Sequence, residues 1–122
     1  MTSQTEKLII LMTKGIDSEL SSVAFTIANG GLSAGLKVYV FLTSAAIDIA
    51  RRGGQQMTHV PPLDPLAQLI MDFQSRGGVI WACPPCVKSR GYQPSDLLEG
   101  VIIAGASVMH AEIKDGAATL SF

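Results

Sequence analysis

The stretch KLIILM, Lys7–Met12, places five large apolar residues in a row behind a single lysine. A run that short, with no polar residue alternating through it, is the pattern of a strand covered on both faces. Such strands belong to parallel sheets, whose crossover helices lie on the sheet faces. Working outward, KVYVFL (Lys37–Leu42) and VIWA (Val79–Ala82) repeat the pattern, with shorter apolar runs at Val101–Ile103 and Ala118–Phe122. The intervening segments have helical period. Leu20, Val23, Ala24, Ile27 and Ala28 fit the i, i+3, i+4, i+7, i+8 template behind Asp17 and Ser18, either of which can cap a helix. Within that helix Gly30-Gly31 suits a backbone lying close to the sheet, and Gly35 offers a left-handed stop. A short helix is expected over Ala45–Arg52 and a loop over Gly53–Pro62. Asp64-Pro65 then predicts a capped helix start with proline at the first position, and Leu66, Leu69, Ile70 and Phe73 form its apolar face. A helical turn at Ser95–Glu99 and a helix over Ser107–Lys114 complete the alternation. The expected fold is one α/β domain over residues 1–122, a three-layer arrangement with a parallel sheet between helices.

Composition narrows the function. The chain has 122 residues, with 9 Lys and Arg against 10 Asp and Glu for a net charge of -1. Arg51-Arg52 and Lys88/Arg90 are its only basic groupings, so nucleic acid is not an expected partner. Charged residues make up 16%, well under the usual ~25%, while 48% are hydrophobic. That balance excludes disorder and predicts that part of the surface is covered by other subunits. The apolar run at Leu8–Met12 is too short for a signal-peptide core. The uncharged stretch between Glu19 and Lys37 carries Ser, Thr, Asn and Gly, so no membrane span is expected. The two cysteines, without a targeting signal, point to the reducing cytoplasm.

The chemistry concentrates at Cys83-Pro84-Pro85-Cys86, where the third expected strand ends. In open α/β sheets, ligands and reactive groups collect beyond the carboxyl ends of the strands. A helix starting after the prolines would favour a thiolate at Cys83, with Lys88 and Arg90 in support. A close thiol pair of this kind suits sulfur transfer or dithiol redox chemistry; the bland alternative is two inert, buried small side chains. Zinc would need two further ligands, and nothing in the spacing brings His59 and His110 to the pair, so no metal is expected. Lys14-Gly15 lacks the glycine spacing of a phosphate loop, and no cofactor is expected. Met12, Met71, Met109 and Trp81 read as packing residues.

The segments KLIILMTKGIDSELSSVAFTIANGGLSAG, GGVIWACPPCVKSRGY and DLLEGVIIAGASVM together resemble the DsrE/DsrF-like family, the DsrE, TusD and YchN-type sulfur-relay proteins. The resemblance implies a five-stranded parallel sheet of order 4-3-2-1-5 and assembly into trimers or hexamers, some of them mixed, with a homotrimer or homohexamer expected here. It also implies donor and acceptor proteins that hand sulfur to and from a cysteine as a persulfide. By its position eight residues before Gly91, Cys83 matches the sulfur-accepting cysteine of TusD-like members, whereas Cys86 is outside that pattern. The added thiol permits release of the sulfur through a disulfide, and equally a dithiol–disulfide oxidoreductase. A sulfurtransferase-type carrier, a dithiol oxidoreductase and a non-catalytic oligomeric module are therefore the three readings.

Overall fold

The computed structural model describes residues 5–122; the first four residues of the expected domain lie outside the described residues. The element order is β1 (Lys7–Met12), α1 (Glu19–Ser33), β2 (Lys37–Leu42), α2 (Ile47–Ala50), α3 (Leu66–Ser75), β3 (Val79–Ala82), α4 (Pro84–Ser89), β4 (Ile102–Ile103), α5 (Ala106–Lys114) and β5 (Ala118–Ser121). Short 3-10 turns lie at Ser44–Ala46, Gly54–Met57 and Pro94–Asp96. The strands form one sheet of order β4-β3-β2-β1-β5, and every pairing is parallel. Lys7 opposes Lys37 and Met12 opposes Leu42, so β1 and β2 run side by side over their full lengths at the centre.

Alternate residues of these strands feed two cores, as the twofold period of a strand requires. Leu8, Ile10, Met12, Val38, Val40, Leu42, Ile80 and Ala82 pack with the buried faces of α1, α2 and α3. Ile9, Tyr39, Phe41 and Trp81 point the other way, against Met109 of α5. There Trp81 stacks on Tyr39 with ring centroids 4.5 Å apart, which makes it a packing residue. The two layers are unequal. No residue of α5 is buried, and both residues of β4 and all four of β5 are exposed. Lys7 ties this thin layer to β1 by bonding Glu112 at 2.7 Å and also Asp115. These contacts hold the Lys7 ammonium above its ordinary range and the Asp115 carboxyl below its own.

Several local readings are corrected by packing. The buried face of α1 is Ser21, Ser22, Ala24, Phe25, Ala28, Asn29 and Gly31, so Leu20 and Ile27 are turned outward. Two of the buried polar groups find partners, while the Ser22 hydroxyl and Asn29 Oδ1 are left without one. The Ser21 hydroxyl donates to Gly15 O at 2.6 Å, and the Asn29 amide donates to Leu69 O at 3.1 Å. Gly31 provides the expected close approach: a β-carbon there would lie 2.9 Å from Val38 Cγ2. Ser18 caps the helix by accepting from the Leu20 amide at 3.2 Å. At α3 the expected cap moves. Pro65 itself is the N-cap, without a side-chain bond, and Asp64 lies one residue too early. The face Leu66, Leu69, Ile70 and Phe73 is buried as its spacing predicts, but Met71 is 64% exposed. The expected helix over Ala45–Arg52 is split into a 3-10 turn and the four residues of α2.

Candidate functional site

The site grows from the carboxyl end of β3. The Cys83 amide donates to Leu42 O at 3.0 Å, extending the β2–β3 ladder one residue beyond the strand. The backbone then turns. Cys83 is the N-cap of α4, with Pro84 and Pro85 in the next two positions, and the Val87 amide closes the first turn on Cys83 O at 3.0 Å. Proline suits the opening of a helix because its φ is already helical and its missing N–H would have no intrahelical acceptor. The helix stops after six residues at Arg90-Gly91-Tyr92. Gly91 is left-handed with φ of 72°, the Gly91 amide donates to Lys88 O, and the Tyr92 amide donates to Val87 O. That pair of bonds is the Schellman arrangement, which calls for glycine.

One turn of α4 brings the two thiols together. Cys86 Sγ donates to Cys83 Sγ at 3.2 Å, and both residues are half-buried. A third group comes from β2, through the chain that leaves it: the Ser44 amide donates to Cys86 Sγ at 3.3 Å. Ser44 has φ of 53°, a left-handed conformation uncommon for a residue with a β-carbon, and strained backbone of that kind concentrates at functional sites. The loop beneath it is held from both sides. The Thr43 hydroxyl donates to Met12 O at 3.0 Å, and a β-carbon at Gly15 would stand 2.8 Å from Ala45 O.

The electrostatic expectation at Cys83 is overturned. Burial, followed by hydrogen bonding with Cys86, pushes the Cys83 thiol above its ordinary range, and only the Cys86 amide acts against them. Pro84 and Pro85 carry no amide proton, so the Cys86 amide is the first donor of the turn. Arg90 does not supply the missing charge, since its Nε lies 3.6 Å from Asp48 Oδ1. Lys88 is exposed on α4. Asp48 also accepts from the Tyr92 hydroxyl at 2.6 Å, and this bond raises the phenol above its usual range. With the Arg51 guanidinium 5.6 Å from the centre of the Tyr92 ring, the cluster fastens the end of α4 to α2. Arg90 thus belongs to the contacts that anchor the end of α4.

His59 and His110 are both exposed, and among the described residues no three His, Cys, Asp or Glu side chains are grouped as a metal would need. No helix among the described residues is long and apolar enough to cross a membrane. A groove of about 270 Å³ between α3 and the Gly54–Met57 turn is lined by Gln55, Gln56, Met71 and Gln74, among others, and by neither cysteine.

The fold and site together define a class. The profile of the DsrE/DsrF-like family matches residues 6–122, and the chain belongs to that family, whose type is sulfur relay. Two uncharacterized proteins of Methanocaldococcus jannaschii are similar in sequence. MJ0760 is 30% identical over 105 residues, 85% of this chain, and the chain spans 38% of that protein's length. MJ0989 is 26% identical over 119 residues, 95% of this chain and 99% of its own. The fold is shared with the ychN protein of E. coli at a TM-score of 0.77 and 21% identity, covering 97% of this chain and 100% of that one. It is also shared with MTH1491 of Methanobacterium thermoautotrophicum, a protein of unknown function, at a TM-score of 0.74 and 16% identity, covering 95% and 99% of the two chains.

Proposed function

We infer that this chain is a cytoplasmic sulfur carrier in which Cys83 holds sulfur as a persulfide during intracellular sulfur transfer. The observation behind this reading is the place of Cys83: the first residue past β3, at the carboxyl edge of a sheet whose family is of sulfur-relay type. The chemistry is thiol exchange. The Cys83 thiolate attacks the outer sulfur of a donor persulfide, the donor leaves as a thiolate, and a new sulfur–sulfur bond forms on Cys83. Transfer to an acceptor thiolate repeats the step in reverse. Each half-reaction conserves charge and needs no cofactor, and residues 1–122 act as one domain between a donor and an acceptor protein. The raised Cys83 thiol makes loading depend on a group of the docked donor that accepts its proton.

Self-association belongs to the same proposal. Ile102, Ile103, Val108, Ile113 and Leu120 are all large, apolar and exposed, and all lie on β4, α5 or β5. A homotrimer or homohexamer covers this thin layer.

One observation favours a second reading. A pair of thiols 3.2 Å apart also suits a dithiol–disulfide oxidoreductase using Cys83 and Cys86 alike. Intact mass after incubation with glutathione persulfide separates the readings. A carrier gains one sulfur, which a thiol reductant removes and Cys83→Ser prevents. An oxidoreductase loses two hydrogens and never gains sulfur, and an inert module shows neither change.

A further inference from the structure

We propose that the chain contains its own sulfur-releasing step: Cys86, held by the Ser44 amide, displaces the sulfur carried on Cys83 as hydrosulfide. The step rests on the persulfide reading of Cys83 and adds a product and a redox cycle to it. Three independent features converge on Cys86. Its sulfur lies 3.2 Å from Cys83 Sγ, so the attacking and receiving atoms are already in contact. Pro84 and Pro85 fix the turn that joins them, which lowers the entropy lost on closing a disulfide there. A backbone donor brought from outside the helix, the Ser44 amide at 3.3 Å, points at Cys86 and comes from a left-handed residue. That bond holds the Cys86 sulfur in place against Cys83. Meanwhile the prolines leave Cys83 with few amides to hold a persulfide anion, so the carried sulfur is not strongly retained.

The step balances without an external oxidant. The Cys86 thiolate attacks Cys83 Sγ, the bond from that atom to the outer sulfur breaks, and the outer sulfur leaves with the electron pair as hydrosulfide. Cys86 has given its proton to solvent, its sulfur is oxidised as the disulfide forms, Cys83 Sγ keeps its oxidation level, and the carried sulfur is reduced to sulfide. A protein dithiol reductant then reopens the disulfide, supplying two electrons and two protons. The chain would therefore stand between a reaction that makes persulfide and one that consumes sulfide.

The test uses the full-length protein loaded with glutathione persulfide in the absence of reductant, following intact mass and sulfide trapped with a bimane reagent. Wild type is expected to gain one sulfur, then lose it and finish two hydrogens lighter, with one sulfide released per chain. Cys86→Ser and Cys86→Ala should load normally and keep the sulfur, with release slowed at least about a hundredfold because the attacking group is gone. Ser44→Gly retains both the amide and the left-handed backbone and should behave as wild type. Ser44→Val disfavours that conformation and should load normally but release about fivefold more slowly, the effect of weakening one hydrogen bond. A wild-type chain that loads sulfur and keeps it as long as Cys86→Ser overturns the release step and leaves the carrier reading standing. A Cys86→Ser chain that never gains sulfur overturns both.

Discussion

At Cys83 burial outweighs a general rule. Cysteine at a helix N-terminus is ordinarily activated, but here the next two residues are Pro84 and Pro85, and burial raises the thiol instead. In a Cys86→Ser background, iodoacetamide should therefore label Cys83 more slowly than free cysteine at neutral pH. The rate should still be climbing at alkaline pH where free cysteine has levelled off. The same shift has a sign for folding. Cys83 titrates higher in the folded state than in the unfolded, so its contribution to stability is complete below the unfolded thiol's range and is lost as pH rises through the folded one. Tyr92 works in the same direction through its bond to Asp48, and Tyr92→Phe should cost about 1 kcal/mol in urea denaturation. The cysteine pair was legible in the sequence because its spacing is local. Ser44 and the Asp48–Tyr92 bond were not, since their contacts join residues 42 and 44 positions apart and no periodicity links them.

Among the elements, the central strands were the most readable because they are apolar on both faces. KLIILM, KVYVFL and VIWA begin and end where their composition changes. The edge strands are shorter than expected, Ile102–Ile103 and Ala118–Ser121, because each has a neighbour on one side only. Helix α1 buries Ala24 and Ala28 as its spacing predicts but is rotated so that Leu20 and Ile27 face outward. A template that counts apolar residues turns Ser21, Ser22 and Asn29 outward, whereas tertiary hydrogen bonds from Ser21 and Asn29 let that polar side turn inward. The observed face makes unequal predictions for neighbouring residues. Phe25, fully buried and edge-on to Phe73 at 5.7 Å, should lose about 3–5 kcal/mol on truncation to alanine. Ile27, at 36% exposure, should lose about 1 kcal/mol or less on the same change. The paired glycines divide in the same way. Gly30→Ala meets open space and should stabilise by about 0.5–1 kcal/mol, whereas Gly31→Ala drives a methyl into Val38 and should destabilise. Denaturant titration of the four variants reads these differences directly.

At the scale of the whole molecule, the sheet is thickly covered by α1, α2 and α3 on one side and thinly by α5 on the other. The low charged fraction of 16% already hinted at this shortage of polar surface, but only the structure locates it on β4, α5 and β5. If this layer joins subunits, Val108→Glu or Leu120→Lys should convert the assembly to monomers in sedimentation velocity, while Leu20→Lys and Met71→Lys on the opposite layer should leave it intact. A monomeric wild type at micromolar concentration would contradict the expected assembly. Fragment-ion mapping of the protein after glutathione persulfide treatment, with wild type, Cys83→Ser and Cys86→Ser run side by side, tests the carrier role most directly. The prediction is that Cys86→Ser shows the added sulfur on Cys83 and Cys83→Ser takes up none. Uptake by Cys83→Ser at the wild-type rate, or sulfur found only on Cys86, would contradict it.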